Sequence, residues 1–366
     1  MDLEDMRPGG ARPVAVRLPV EPVEAAVEAD AVDAAKQAGD VAIRGPLFGV
    51  AAQDAADRQR WRVVIEVSNG CPQLARDSLN SLLWFRAKDE AQDRAERRAL
   101  LAAVARLESE RVDELTVLGS RYRIVRAEEY VGMGPDGIEQ PRPTDPEPVT
   151  PDWGCDSRGA EIDDGLVLDP DVPVTPAQAA ERLTLRDMAY TGSWYPEDVR
   201  LDSRRALDTH PDILLLPTTF KIVERTDTGW KSGSGLHVSA HEARKTLDFS
   251  LTFWEPRRRG LIPMDADRHV DARTQAAEEA DSAAGELTAY AEAADRLRTG
   301  RVNQLEVLGT VYRIGRARRL LRWGPDGPEG PRPSDVSQHA PSRIHPSLDE
   351  DGNIHYEDED HGDDDG

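Results

Sequence analysis

Apolar residues recur along this chain in two periods, helical and alternating, and the order of the periods predicts its elements. Val23 to Gln37 and Glu197 to Leu207 are Ala-rich and read as short helices. Val41 to Val50 and Trp61 to Val67 read as strands separated by the polar AQDAADRQR, and Ile213 to Val223 opens an equivalent pair. Asn69-Gly70 turns the chain, and Pro72 stands where a helix can begin, followed by Ala75, Leu79, Leu82, Leu83 and Arg86 at helical spacing. Leu247, Phe249, Leu251 and Phe253 alternate as a strand would, but the corresponding Leu82-Leu83-Trp84 breaks alternation, which predicts helix in both places. Another helix is marked by Leu100, Val104 and Leu107, and again by Leu287, Tyr290, Ala294 and Leu297. Leu115 and Val117, a Gly119-Ser120 turn, then Tyr122 and Ile124 describe a hairpin with one apolar face; Leu305, Val307, Gly309-Thr310, Tyr312 and Ile314 repeat it.

That repetition is literal. Arg111 to Asp145 and Arg301 to Asp335 match without a gap at about twenty of thirty-five positions, including GPDG and PRP. The offset is too long for a solenoid and implies a duplicated domain. Upstream, Asp30, Ala34, Asp40 and Phe48 match Asp202, Ala206, Asp212 and Phe220; Trp61 matches Trp230; Trp84-Phe85 matches Phe253-Trp254 in reversed order. The expected organisation is a disordered N-terminus (1–12), module 1 (13–145), an acidic Pro-rich linker (146–173), module 2 (174–335, with an insertion loop at about 257–273) and a disordered acidic tail (336–366). The fold class expected is α+β: two homologous modules, each a small antiparallel sheet with helices on one side, the sheets meeting through the hairpins.

Charge sharpens the division. The segment from His345 to the end carries ten acids and no Lys or Arg, and Glu139 to Asp171 carries ten acids against Arg142 and Arg158; of the net −23, about −5 remains for everything else. Only Cys71 and Cys155 are present, too far apart in sequence for a zinc motif and too few for a disulfide scaffold. The N-terminus is not that of a secretory signal and no stretch is long enough to span a membrane, so a soluble cytoplasmic protein is expected. Arg outnumbers Lys and Ala is abundant, the bias of a high-GC bacterial genome.

No phosphate loop, H-E-x-x-H or G-x-S-x-G motif occurs. His237 and His241 are four apart, with His269 the nearest third ligand; a strand-to-helix junction between them and the lack of a first-copy counterpart weigh against a metal. Cys71 precedes a helix, but no histidine accompanies it in module 1, and a buried idle thiol is the better reading. Trp61, Trp84, Trp230 and Trp254 match in position, as core anchors would.

The arginines of the repeated strand are the main candidates. With Tyr122 and Ile124 facing the core, Arg126 and Arg316 fall on the apolar side and should be paired, whereas Arg123 and Arg313 face away, free for a ligand or partner. Across a pseudo-twofold axis the four could bind a phosphate-type anion; the competing reading makes them edge charges or partners of the acidic segments. Nucleic acid is disfavoured by the net charge.

The hairpin block RVDELTVLGSRYRIVRAE, with GPDG and PRP, resembles an uncharacterised domain-of-unknown-function family of streptomycetes and related actinobacteria. The resemblance implies a soluble bacterial protein and supplies no activity, cofactor or catalytic residue. The expectation is therefore a non-enzymatic binding or adaptor protein with a protein partner and no cofactor, either a pseudo-twofold monomer or a homo-oligomer. The alternative is a ligand-binding protein or enzyme with an anion site between the modules.

Overall fold

Proline and glycine bound the elements much as the sequence places them. The computed structural model describes residues 11–56, 59–154, 160–276 and 282–356. The first half runs α1 (Pro22–Gln37), β1 (Asp40–Asp54), β2 (Trp61–Asn69), α2 (Pro72–Asp89), α3 (Arg94–Ser109), β3 (Glu114–Val117), β4 (Ser120–Gly134) and β5 (Gly137–Ile138). A connector adds β6 (Val167–Leu168) and α4 (Pro176–Leu185). The second half runs α5 (Glu197–Thr209), β7 (Asp212–Leu215), β8 (Thr219–Thr226), β9 (Gly229–Ser232) and α6 (Ala240–Phe249), which continues as a π-helical turn over Ser250–Trp254. It ends with α7 (Glu255–Arg258), α8 (Ala272–Ala276), α9 (Ser282–Gly300), β10 (Gln304–Val307), β11 (Thr310–Gly324) and β12 (Gly327–Pro328). A small hairpin, β13 (Ser347–Leu348) with β14 (Ile354–His355), follows.

The expected pair of small sheets is instead one large curled antiparallel sheet, in the order β6-β2-β1-β4-β11-β8-β9, with β7 in line with β8 along β11. The join is β4 to β11, where Ala127, Glu128, Glu129, Tyr130 and Val131 pair with Leu321, Leu320, Arg319, Arg318 and Ala317. Glu129 and Arg319 are equivalent positions of the repeated block, so the pairing turns about an axis through them and carries each block onto the other. Left apart, each long strand would present unpaired N–H and C=O groups, and pairing satisfies them.

Both faces of the sheet are covered. On one, Phe48, Tyr122 and Ile124 pack under α2 and α3, and Phe220, Tyr312 and Ile314 under α6 and α9. Leu79, Leu83, Leu100 and Leu107 are fully buried there, each worth about 1.5–3 kcal/mol of transfer free energy. On the other, the curl brings Trp61, Val63 and Val125 against Leu214, Leu321 and Trp323. The helix expected across Leu247 to Phe253 is present, and its π turn explains the misleading alternation: Leu247 and Leu251 are buried while Phe249 and Phe253 stack on each other at 5.0 Å toward the outside. Burial also corrects the alignment. Leu79, Leu83 and Phe85 correspond to Leu247, Leu251 and Phe253, so Trp84 answers to Thr252; Trp254, half exposed, is no core anchor.

The exits from the two halves are exchanged. After the Gly-Pro-Asp-Gly turns, residues 138–147 run onto the second half and residues 328–337 onto the first, so that Arg316 N–H donates to Glu139 O and Arg126 N–H to Glu329 O. The linker and tail are therefore structured where they are described: Asp163 is buried against the sheet, at Val67 and Arg319, and Leu348 joins the core under α2 and α3. Arg98 holds Glu350 at 2.7 Å and Trp84 Nε1 donates to Pro346 O at 3.1 Å, docking the tail on helices rather than on the arginine strand. The disorder expected for 1–10 and 357–366 lies outside the described residues. Deleting residues 339–366 should lower Tm by roughly 5 °C, through loss of Leu348 burial and these bonds; a differential scanning calorimetry trace unchanged by the deletion would contradict the docking.

Candidate binding cleft between the halves

Arg126 lies, as its place in the alternation demands, on the buried helical face, and it is paired. Its Nη1 meets Glu128 Oε1 at 2.5 Å and its Nε meets Asp335 Oδ2, from the exchanged arm, at 2.8 Å. Arg332 reaches the same Glu128 at 3.2 Å and Glu329 at 2.8 Å, and Tyr190 O–H donates to Glu128 Oε2 at 2.6 Å. Burial pushes the Glu128 carboxyl up, but the charges of Arg126 and Arg332 and the Tyr190 bond outweigh it and hold the group below its usual range. The Tyr190 hydroxyl is pushed up, by burial first and then by the carboxylate it faces.

The second half repeats the network with one reversal of sign. Arg316 pairs with Asp145 at 3.1 Å and donates to Thr218 Oγ1 at 2.9 Å, while Arg142 pairs with Glu139 at 2.7 Å. Where the first half has Glu128, the second has Arg318, bonded to Glu139 at 3.1 Å and to Glu181. The paired state expected for Arg126 and Arg316 is thus what the geometry gives.

Arg123 and Arg313 are not free, because the face they point to is covered by the exchanged turns. Arg123 Nε donates to Glu114 at 2.8 Å, its Nη2 to Asp326 at 2.5 Å, and its Nη1 to Pro328 O at 3.1 Å. Asp326 is held down to about 2 by its hydrogen bond from Arg121, against burial and with help from Arg123. Arg313 donates to Gln304 at 2.7 Å and to Ile138 O at 2.9 Å. The two guanidiniums stack on Trp61 and Trp230 at 5.0 and 4.6 Å. Gly327 and Gly137 close these joints: φ is +114° and +100°, and a Cβ would stand 2.7 and 2.5 Å from the indole nitrogens of Trp61 and Trp230.

The histidines do not converge. His237 Nε2 lies 3.1 Å from Ser234 Oγ, and burial, with Lys221 nearby, lowers its pKa to about 4. His241 Nε2 lies 2.9 Å from Asp152 O, its ring edge-on to Trp153, and His269 is exposed. Among the described residues no three His, Cys, Asp or Glu side chains are placed to hold a metal. Cys71 is buried at the start of α2; Cys155 lies outside the described residues.

What the halves do build together is a cleft of about 330 Å³, beside Arg126. Its origin is a bulge in β1, where the register against β4 slips between Ile43 and Gly45, leaving Arg44 as the extra residue and Gly45 at φ +131°. The strand bends, and Ile43, Pro46 and Phe48 form one wall while Tyr190, Tyr195 and Val199 form the other; Ser334 to Val336 of the exchanged arm close the end. The Arg126–Asp335 pair belongs to the lining, already neutralised. Trp194, 80% exposed, begins a run of aromatic rings inward through Tyr195 at 5.8 Å to Tyr190 at a further 4.6 Å. Of these residues the sequence singled out Arg126. The Trp194-Tyr195-Pro196 cluster in a Gly/Ser loop was a usable signal for the aromatic wall, whereas the arm's contribution depends on the exchange.

Fold and cleft together define an α+β protein with one curled antiparallel sheet and an interior lined with paired arginines. A model described as a family of unknown function, DUF5954, matches residues 21–338, and the chain belongs to this family. No curated protein and no solved structure matches it. Among the described residues no helix is long and apolar enough to cross a membrane.

Proposed function

We propose that this is a non-enzymatic binding protein, its halves descended from one duplicated module, whose cleft takes a compact, mainly apolar ring compound. The cleft itself carries the reading: its volume is in the range of small-molecule sites, and it combines ring-bearing walls from both halves with few polar groups. Arg126 is bonded to Asp335 and Glu128, and Tyr190 to Glu128, which leaves none of these poised for proton transfer; Arg44, also in the lining, donates to Trp230 O at 3.3 Å. The same pairing moves the reading away from an anion held by Arg126, since an anionic ligand would have to compete there with Asp335. Descent from a duplication is supported by the repeated block and by the coincidence of its equivalent positions, Glu129 and Arg319, with the axis of the β4–β11 ladder.

Thermal shift measurements with indole, a nucleoside and a flavone, and with benzoate as the anionic comparator, test it. A neutral ring compound should raise Tm in proportion to ligand excess, and Val199→Trp, which fills the cleft, should abolish the shift. If no neutral ring moves Tm, or if the filled variant responds like the native chain, the cleft is not the site. A shift confined to benzoate would restore the anion alternative.

A further inference from the structure

The tail shows how one helix surface of this fold is used. On α2 the His345 ring stacks on Trp84 at 4.7 Å and meets Phe85 edge-on at 5.4 Å, while His345 Nε2 lies 2.9 Å from Ser81 Oγ. Pro346 accepts the indole N–H, and the acidic residues beyond it, Glu350 and Asp351, pair with Arg98 and Arg94 of α3. An imidazole-proline pair followed by carboxylates thus covers the aromatic ridge of the first half.

The corresponding surface of the second half is more apolar. Phe249 stands where the first half has Ser81, Phe253 where it has Phe85, and the π turn adds Trp254 beside them. Among the described residues the ring contacts of these three are with one another, at 5.0, 5.1 and 6.4 Å, and Trp254 is 50% exposed. π turns recur at functional sites, and this one is present in α6 and absent from the equivalent stretch of α2. Charge points the same way. Trp254-Glu255 is followed by Pro256 and three arginines; Arg257 is buried, its guanidinium 3.7 Å over the Phe253 ring, while Arg258 and Arg259 stand on the outside, partly offset by Glu255 at 2.7 Å and Glu286 at 3.8 Å. This is a basic, aromatic patch on a chain of net charge −23.

We propose that the Phe249–Phe253–Trp254 ridge is a docking site for an acidic segment of a partner protein bearing a ring-proline pair, the chemistry with which the chain covers the equivalent ridge of its own first half. The ring would lie against the exposed Trp254 and meet Phe253 at its edge, since Phe249 and Arg257 cover the faces of that ring, and the carboxylates would meet Arg258 and Arg259.

The probe is a fluorescein-labelled peptide of residues 341–353, PSRIHPSLDEDGN, titrated into the full chain and followed by anisotropy. Saturable binding is expected, weakened at least tenfold by Trp254→Ala and by Phe249→Ser, the latter restoring the residue type of the first half. Arg258→Glu and added salt should weaken it too, whereas Trp84→Ala should leave it unchanged; far-UV circular dichroism checks that each variant is folded. Failure to bind at millimolar peptide overturns the proposal, as does binding lost in Trp84→Ala and kept in Trp254→Ala, since the peptide would then be displacing the chain's own tail. Equal binding by a peptide with Asp349, Glu350 and Asp351 replaced by Asn removes the acidic requirement and overturns it as stated. Self-association abolished by Trp254→Ala would assign the ridge to a second copy instead.

Discussion

Asp163→Ala should cost the fold about 3–5 kcal/mol, the largest loss expected from a single polar side chain in this protein. Arg319 sits on the axis of the central ladder with its side chain wholly buried, and Asp163 is its counter-charge. The two nitrogens of the guanidinium fork meet Asp163 Oδ2 at 2.6 Å and Oδ1 at 2.8 Å; Val67 N–H donates to the same carboxylate at 2.9 Å. Arg319 also donates to Val67 O and Pro217 O, so one side chain ties β2, the connector and the β7–β8 junction to the sheet centre. Alanine at 163 leaves a full positive charge in a region that water does not reach, and carbonyl dipoles offset only part of it. Arg319→Met should be nearly as costly, since the carboxylate then keeps only the backbone donor. The double replacement Asp163→Leu with Arg319→Met should recover most of the loss, because a well-packed apolar pair needs no counter-charge. Urea unfolding of the four proteins closes the cycle. A single-variant loss below about 1 kcal/mol would mean that solvent reaches this pair and that the connector is not part of the folded body.

Asp163 also shows what a reader of the sequence sees and misses. Its segment is acidic and rich in turn residues, the composition of a solvated linker. Several of those acids are instead counter-ions: Glu139 and Asp145 for Arg316 and Arg318, Glu147 for Arg244, Asp163 for Arg319. A buried pair and two surface charges look alike in a one-dimensional pattern, because periodicity states which face of an element is apolar and not which segment covers it. The helices, the hairpins and the repeat were legible because each is written within a few dozen residues. The hairpin turn itself falls one residue earlier than expected, on Leu118-Gly119 and Leu308-Gly309, all four with positive φ.

The exchanged arms were not legible, and with them went the status of Arg123 and Arg313 and the end wall of the cleft. Alternation placed these arginines away from the helices, correctly, but a second buried face lies on that side, supplied by residues about two hundred positions away. Trp84 and Trp254 were misaligned for a related reason. Two adjacent aromatics in each half invite matching, whereas the burial of Leu79 with Leu247 and Leu83 with Leu251 sets a register in which Trp84 corresponds to Thr252. The tail, too, reads as acidic and unstructured, yet Leu348 with Ile354 and the His345–Pro346 pair dock it.

Arg126→Met should destabilise the protein by about 3–5 kcal/mol at pH 7, and by clearly less near pH 4.5. In the native chain burial raises the Glu128 carboxyl while Arg126 first and Arg332 next lower it, with a net shift downward. A carboxyl whose folded pKa lies below its unfolded value of about 4.3 stabilises the fold above that value, and the contribution fades as pH falls through the folded pKa. Removing Arg126 takes away the largest opposing charge and leaves burial dominant, so the folded pKa of Glu128 rises above the unfolded one. The sign then reverses: the variant pays for a buried, under-compensated carboxylate above that raised pKa, and protonation relieves the cost as pH falls. Asp335 loses its Arg126 Nε partner as well and, of these two donors, keeps only the backbone N–H of Arg332, at 2.7 Å. The gap between native and variant should therefore narrow on acidification, read as the difference in urea midpoints at the two pH values with the slopes unchanged. A gap of equal size at both would mean that Arg126 contributes packing alone and that the cleft beside it lacks a charged pair. Because Asp335 belongs to the exchanged arm, the variant should also loosen the end wall of the cleft, and a ring compound that shifts the native Tm should shift the variant's less.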